Sequence, residues 1–164
     1  MDINDYLIDQ EGLDWGKLLT DWVPPLPSEF TVWMINRFGD LIVVLENGSV
    51  HYMDFSVNEL NWLADSQDDF CIRIDQGDNA NDWLMIPLVD ACVAAGMQLQ
   101  PNQCYSFKIP AVLGGKYEIE NIAPLDIEVN YSFLADIHRQ IKDLPDGTKI
   151  NLVSFEDRDL KSRS

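Results

Sequence analysis

Carboxylates are the chemically capable residues this sequence has in surplus: 28 Asp and Glu against 11 Lys and Arg, a formal net charge of −17. The densest run is residues 65–82, DSQDDFCIRIDQGDNAND, which sets Asp65, Asp68, Asp69, Asp75, Asp78 and Asp82 against one base, Arg73. A calcium loop would need D-x-[DN]-x-[DN]-G, and Ala80 stands two residues after Asp78, so the pattern fails. Paired-carboxylate hydrolysis would need two acids at a fixed separation, which spacing along a chain does not reveal. A solvated face that maintains solubility needs nothing more than exposure. An acidic docking surface needs exposure and a basic partner, whose phosphate-binding positions the acids would fill and whose approach they would speed.

Nothing else in the chain resembles an activated nucleophile or a tuned acid and base. His51 sits mid-strand next to Tyr52, and His138 is expected on a helix face turned away from Ile137 and Ile141. Both read as structural or surface histidines. Cys71, Cys92 and Cys104 are odd in number and far apart, so they read as small core hydrophobes in a reducing compartment. Gly114-Gly115 reads as a turn more readily than as an anion cradle. No G-x-S-x-G, Walker loop, G-x-G-x-x-G or H-E-x-x-H occurs. The expectation is a binding protein with no enzymatic activity, no cofactor and no metal.

Charge also restricts the partner. Residues 1–100 hold 18 Asp and Glu against only Lys17, Arg37 and Arg73, a formal −15, and the remainder is nearly neutral. Such a field repels nucleic acid and anionic membranes and attracts basic surfaces. The start, MDINDYLIDQEG, has no basic and apolar signal regions, and apolar runs such as Leu41–Leu45 are too short to span a bilayer. The reading is cytoplasmic.

These side chains must be placed by a fold. At 46% hydrophobic and 164 residues the chain is long enough for one packed core. Trp15, Leu18, Leu19 and Trp22 recur at helical spacing and predict a short helix over 13–23, stopped by the stiff connector PPLP at 24–27. FTVWMI (30–35), Leu41–Glu46 and Ser49–Met53 predict an antiparallel three-stranded meander, its second turn carried by Asn47-Gly48. LIVVL has no polar alternation, so its strand should be covered on both faces. Ser56 and Glu59 form a capping box, flanked by Phe55 and Leu60 as a hydrophobic staple. They predict a helix burying Leu60 and Leu63 with help from Trp62. Further helices are expected from Ser66, carrying Phe70, Cys71 and Ile74, and over 87–95 with Leu88, Cys92 and Ala95 on one face. CYSFKI (104–109) and 117–119 read as strands. Residues 129–144 read as the longest helix, with Leu134, Ile137, Ile141 and Leu144 as its stripe and Val129 and Phe133 widening it.

The fold class is therefore α+β: an antiparallel meander packed with several helices, the longest near the C-terminus. One domain is expected over 1–155, with an acidic part (1–100) and a near-neutral part (101–155), then a frayed tail at 156–164.

CYSFKIPAVLGGKYEIENIAPLDI (104–127) with IHRQIKDLPDGTKI (137–150) resembles a family of bacterial domains that includes the C-terminal part of immunity proteins paired with type VI secretion DNase effectors. RFGDLIVVLENGSVHYMD (37–54) resembles the GAD-like region that precedes that domain. The resemblance covers roughly 30–150. It implies an α+β cytoplasmic protein without catalytic residues that neutralises a cognate toxin by tight binding. The acids of 65–82 are the residues expected to meet the toxin. A small-ligand sensor, with a pocket between the meander and the long helix lined by Trp33 and Tyr52, is the alternative.

Overall fold

Strand β2 (Leu41–Leu45) is the centre of the architecture, and its apolar run explains why. Successive side chains of a strand point to opposite faces. Leu41 and Val43 enter one hydrophobic cluster and Ile42 the other. In the computed structural model, which describes residues 2–22 and 25–142, β2 pairs antiparallel with β1 (Phe30–Ile35) and with β3 (Val50–Asp54). A fourth strand, β4 (Glu59–Ala64), pairs with β3, giving the order β1-β2-β3-β4. A separate two-stranded sheet joins β5 (Gln103–Phe107) to β6 (Ile122–Asp126).

The capping-box helix predicted from Ser56 does not form. Residues 55–58 make a turn in which Asn58 adopts φ +60° and the Asp54 side chain accepts from the Ser56 N–H. ELNWLA then extends along β3, with Met53 opposite Leu60 and Tyr52 opposite Asn61. The open edge of β3 supplies ladder hydrogen bonds across several residues, which outweigh the one or two a capping box satisfies. Trp62 consequently points outward and is 48% exposed, whereas Leu63 and Ala64 are buried.

Among the described residues, five α-helices surround the sheets. The predicted 13–23 helix is broken into α1 (Trp15–Leu18) and a 3-10 turn at Thr20–Trp22, yet all four apolar residues reach the same core. α2 (Gln67–Arg73) starts where expected, Ser66 accepting from the Asp69 N–H. α3 (Asn79–Trp83) was not anticipated. α4 (Ile86–Ala94) buries Ile86, Val89 and Cys92, while Ala95 is exposed. α5 (Ile127–Ile141) is the longest and buries Phe133, Leu134 and Ile137 as predicted, but Val129 is 40% exposed. Leu144, DLPDGTKI and the 156–164 tail lie outside the described residues. Tyr117–Ile119 is not a strand; its place is taken by β6 after a 3-10 turn at Ile119–Asn121.

One face of the large sheet carries α5, α1 and Leu26, closing on Phe55 and Tyr131; the other carries α2, α3 and α4 with Tyr105, Phe107 and Ile122 of the small sheet. Both clusters draw residues from before and after position 100. Burying a side chain such as Phe55, 1% exposed, contributes roughly 1.5–3 kcal/mol. The Tyr131 O–H donates to the Gly39 carbonyl at 2.6 Å and ties α5 to the turn before β2. Among the described residues, no helix is long and apolar enough to cross a membrane.

Candidate functional site

The acids of 65–82 run from the end of β4 through α2 to α3: Asp68 and Asp69 lie on α2, Asp82 on α3, and Asp65, Asp75 and Asp78 in the bend before α2 and the turn between the helices. Phe70 anchors α2 inward, stacked on Trp83 at 5.1 Å and edge-on to Trp33 at 4.9 Å. With Phe70 buried, the polar side of α2 must face outward. Asp65, Asp68, Asp75, Asp78 and Asp82 are exposed, and none has an ion-pair partner among the described residues. Asp69 differs. Its Oδ2 accepts from Arg73 Nε at 2.8 Å and from the Asp65 N–H at 3.0 Å. The Arg73 bond is the main reason its carboxyl is held below the usual range. Five of the six predicted acids are thus exposed and without an ion-pair partner among the described residues, and the sixth holds the start of α2 in place.

Two apolar residues sit beside these charges. The guanidinium of Arg73 lies 4.9 Å from the Trp62 ring centroid, and the Trp62 indole N–H donates to Asp65 Oδ1. Ile72, on α2, is 62% exposed. Large apolar side chains next to charge, on a surface with a rim of acids, suit a protein interface. The capping-box signal predicts Trp62 in the core, whereas the alternation of ELNWLA in β4 turns it outward.

A pocket of about 350 Å³ opens next to this segment, and Asp82 lines it. Tyr52 and Asp54 reach it from β3, Asp40 from the turn before β2, Trp83 from α3 and Tyr117 from the loop before β6. Asp40 is 7% exposed and accepts from the Tyr52 O–H at 2.7 Å and from the Phe55 N–H at 3.2 Å. Asn36 in turn donates to the Tyr52 oxygen at 2.9 Å. Burial pushes the Asp40 carboxyl well above its usual range, with the neighbouring Asp54 adding to it; the two hydrogen bonds oppose the shift. Asp54 is raised as well, mainly by burial. Sequence signals for this pocket existed in part, since Tyr52 and Asp54 stand two apart on one strand and must share a face.

The sensor pocket expected between the meander and the long helix is not formed by the residues named for it. Trp33 and Tyr52 line separate pockets, and α5 contributes to neither. The histidines have structural roles. His51 contacts Ser49 Oγ at 3.0 Å. His138 does not turn away from the core: its Nε2 lies 2.8 Å from the Phe55 carbonyl, which can only accept, and its ring meets Trp22 edge-on at 5.7 Å. Burial lowers the pKa of both. Cys92 and Cys104 are buried as expected, but Cys71 is exposed on α2. Burial pushes Cys92 up to about 11, so it is no nucleophile at neutral pH. Among the described residues, no three His, Cys, Asp or Glu side chains are grouped to hold a metal ion. Gly114 has φ +87° and a Cβ on Gly115 would overlap the Ile109 carbonyl, so this glycine pair is a tight turn.

Comparison with known proteins finds a similarity over this surface. None of the curated proteins matches the chain. Among solved structures, the crystal structure of Atu4351 from Agrobacterium tumefaciens aligns with a TM-score of 0.46 at 15% identity, covering 74% of this chain and 62% of that one. Residues 64–138 match the family model described as T6SS immunity protein Tdi1, C-terminal, a stretch running from the end of β4 into α5 and containing the whole acidic segment. Over those residues, this chain is similar to the C-terminal part of a type VI secretion immunity protein.

Proposed function

We propose that the protein neutralises a type VI secretion toxin by binding it through the acidic face of α2 and α3, and that the toxin is a nuclease. The observation that carries this reading is the coincidence of two things on one segment. The family match includes all of Asp65 to Asp82, and the same segment holds five exposed, unpaired carboxylates beside Trp62 and Ile72. A nuclease must present cations to phosphates, and an acidic inhibitor complements them. Trp62 and Ile72 supply the desolvated contacts that charge alone lacks. Inhibition by binding asks for no catalytic group in this chain, and the immunity family suggests a non-enzymatic role.

Co-expression with the toxin encoded beside this gene tests the proposal. Cells should survive toxin induction when this chain is present and die when it is absent. Death despite matched expression of the folded protein refutes it. Toxin variants that survive purification should co-elute with this chain in a complex that weakens as salt is raised.

A further inference from the structure

We infer that the pocket between β3, β4 and α3 receives an arginine side chain of the bound toxin, its guanidinium held among Asp40, Asp54 and Asp82 and against the rings of Tyr52, Trp83 and Tyr117. The inference rests on the toxin-binding reading and names the contact that would anchor it.

The chemistry of the lining selects a cation. Three carboxylates line a pocket of about 350 Å³, and none of its described lining residues is basic. Asp40 is buried and its hydrogen bonds come from neutral donors, the Tyr52 O–H and the Phe55 N–H. A buried carboxylate in that position is stabilised by any positive charge that reaches it. Asp40, Asp54, Asp82 and Tyr117 all line this one pocket.

Geometry then chooses among cations. The acids are not grouped as a metal-ligand set among the described residues, so a small divalent ion has no ready cage. The remaining walls are aromatic, and an aromatic wall beside a carboxylate suits a planar, weakly hydrated cation that stacks and donates at the same time. Guanidinium has that form; ammonium is compact and strongly hydrated. The pocket is at the small end for ligand sites, a volume suited to one side chain. Its position supplies the source of that side chain. Asp82 belongs both to the exposed acidic segment and to the pocket mouth, so a basic protein drawn to α2 and α3 brings its cations to the opening. An arginine seated in a desolvated pocket is a common kind of binding hot spot.

The test uses the full chain, isotope-labelled for NMR, and an acetyl-Gly-Arg-Gly-amide tripeptide as the probe. The same tripeptide with citrulline keeps the shape and loses the charge. Arginine peptide should shift the Trp83 indole N–H and the Asp54, Ser56 and Asn61 amides in a saturable way, and citrulline peptide should not. Asp82→Asn, at an exposed position, and Asp54→Asn, which keeps the oxygen that accepts from Ser56, should each weaken the arginine peptide about tenfold or more. Equal shifts with citrulline, shifts confined to the amides of 65–78, or affinity unchanged in both variants would overturn the inference. Cell rescue by the wild-type chain reads the immunity proposal separately. Rescue without pocket shifts sinks the pocket and leaves immunity standing. Pocket shifts without rescue sink the toxin as the source of the side chain.

Discussion

Asp40 makes a prediction whose sign follows from its surroundings. Replacing it with Asn removes one titration and little else in shape. The carboxamide oxygen can still accept from the Phe55 N–H, and its NH₂ faces the Tyr52 oxygen, which must then accept rather than donate. Burial raises the folded pKa of Asp40 above its ordinary value of 3.8. Folding therefore favours the neutral acid. That contribution is complete below the unfolded pKa and is lost as pH rises through the folded one. In that window the wild-type chain should lose up to about 1.4 kcal/mol per pH unit relative to Asp40→Asn. At the acid end the wild type keeps the better Tyr52 hydrogen bond, worth about 0.5–1.5 kcal/mol, so the two stability curves should cross. Asp54 shifts in the same direction as Asp40, and His51 and His138 in the opposite one, since their lowered pKa values favour folding as pH rises. Those groups remain in both proteins, so the difference between the curves isolates Asp40 and its coupling to Tyr52 and Asp54. Urea midpoints from about pH 4 to about pH 8, at constant denaturant slope, give the curves. A difference that is flat with pH, or that favours wild type more as pH rises, refutes the claim that burial raises the Asp40 pKa in the folded chain.

Three further outcomes are expected. Changing Asp65, Asp68, Asp75 and Asp78 together to Asn should move folding stability by no more than about 0.5 kcal/mol per site, because all four are exposed and have no ion-pair partner among the described residues, yet slow toxin association and flatten its salt dependence in stopped-flow mixing. Gly115→Ala should cost more than about 3 kcal/mol in chemical denaturation, since its Cβ would overlap the Ile109 carbonyl, whereas Gly114→Ala meets open space and should cost only the roughly 1–2 kcal/mol of a left-handed residue. Tyr131→Phe should lower stability by about 1–3 kcal/mol by leaving the buried Gly39 carbonyl without its donor, read as a lower urea midpoint.

What the sequence disclosed and what it hid divide along a physical line. Local signals that also satisfy the tertiary structure were legible. Asn47-Gly48 turns β2 into β3, LIVVL is covered on both sides, and Ser66 caps α2. The capping box at Ser56 was an equally good local signal and was overruled, because β3 had an unpaired edge that no local pattern reports. That single reversal propagated to function. With 59–64 taken as a helix, Trp62 belonged in the core and Asn61 belonged nowhere in particular. As a strand, the segment turns Trp62 toward the acidic face and sets Asn61 and Leu63 on the pocket wall.

The acidic run itself was visible from composition, but its division of labour was not. Six aspartates of one type, within eighteen positions, occupy three different states. Asp69 is paired with Arg73 and orders α2; Asp82 faces a pocket shared with two raised carboxyls; the other four project into solvent. A partner that responded only to net charge would treat the six alike. One anchored as inferred would not. Asp82→Asn should then lower affinity chiefly by faster dissociation, because a desolvated contact is lost. Asp68→Asn should chiefly slow association, because a steering charge is lost. Equal effects of the two on both rates would mean that the pocket plays no part and that the face acts through its summed field alone.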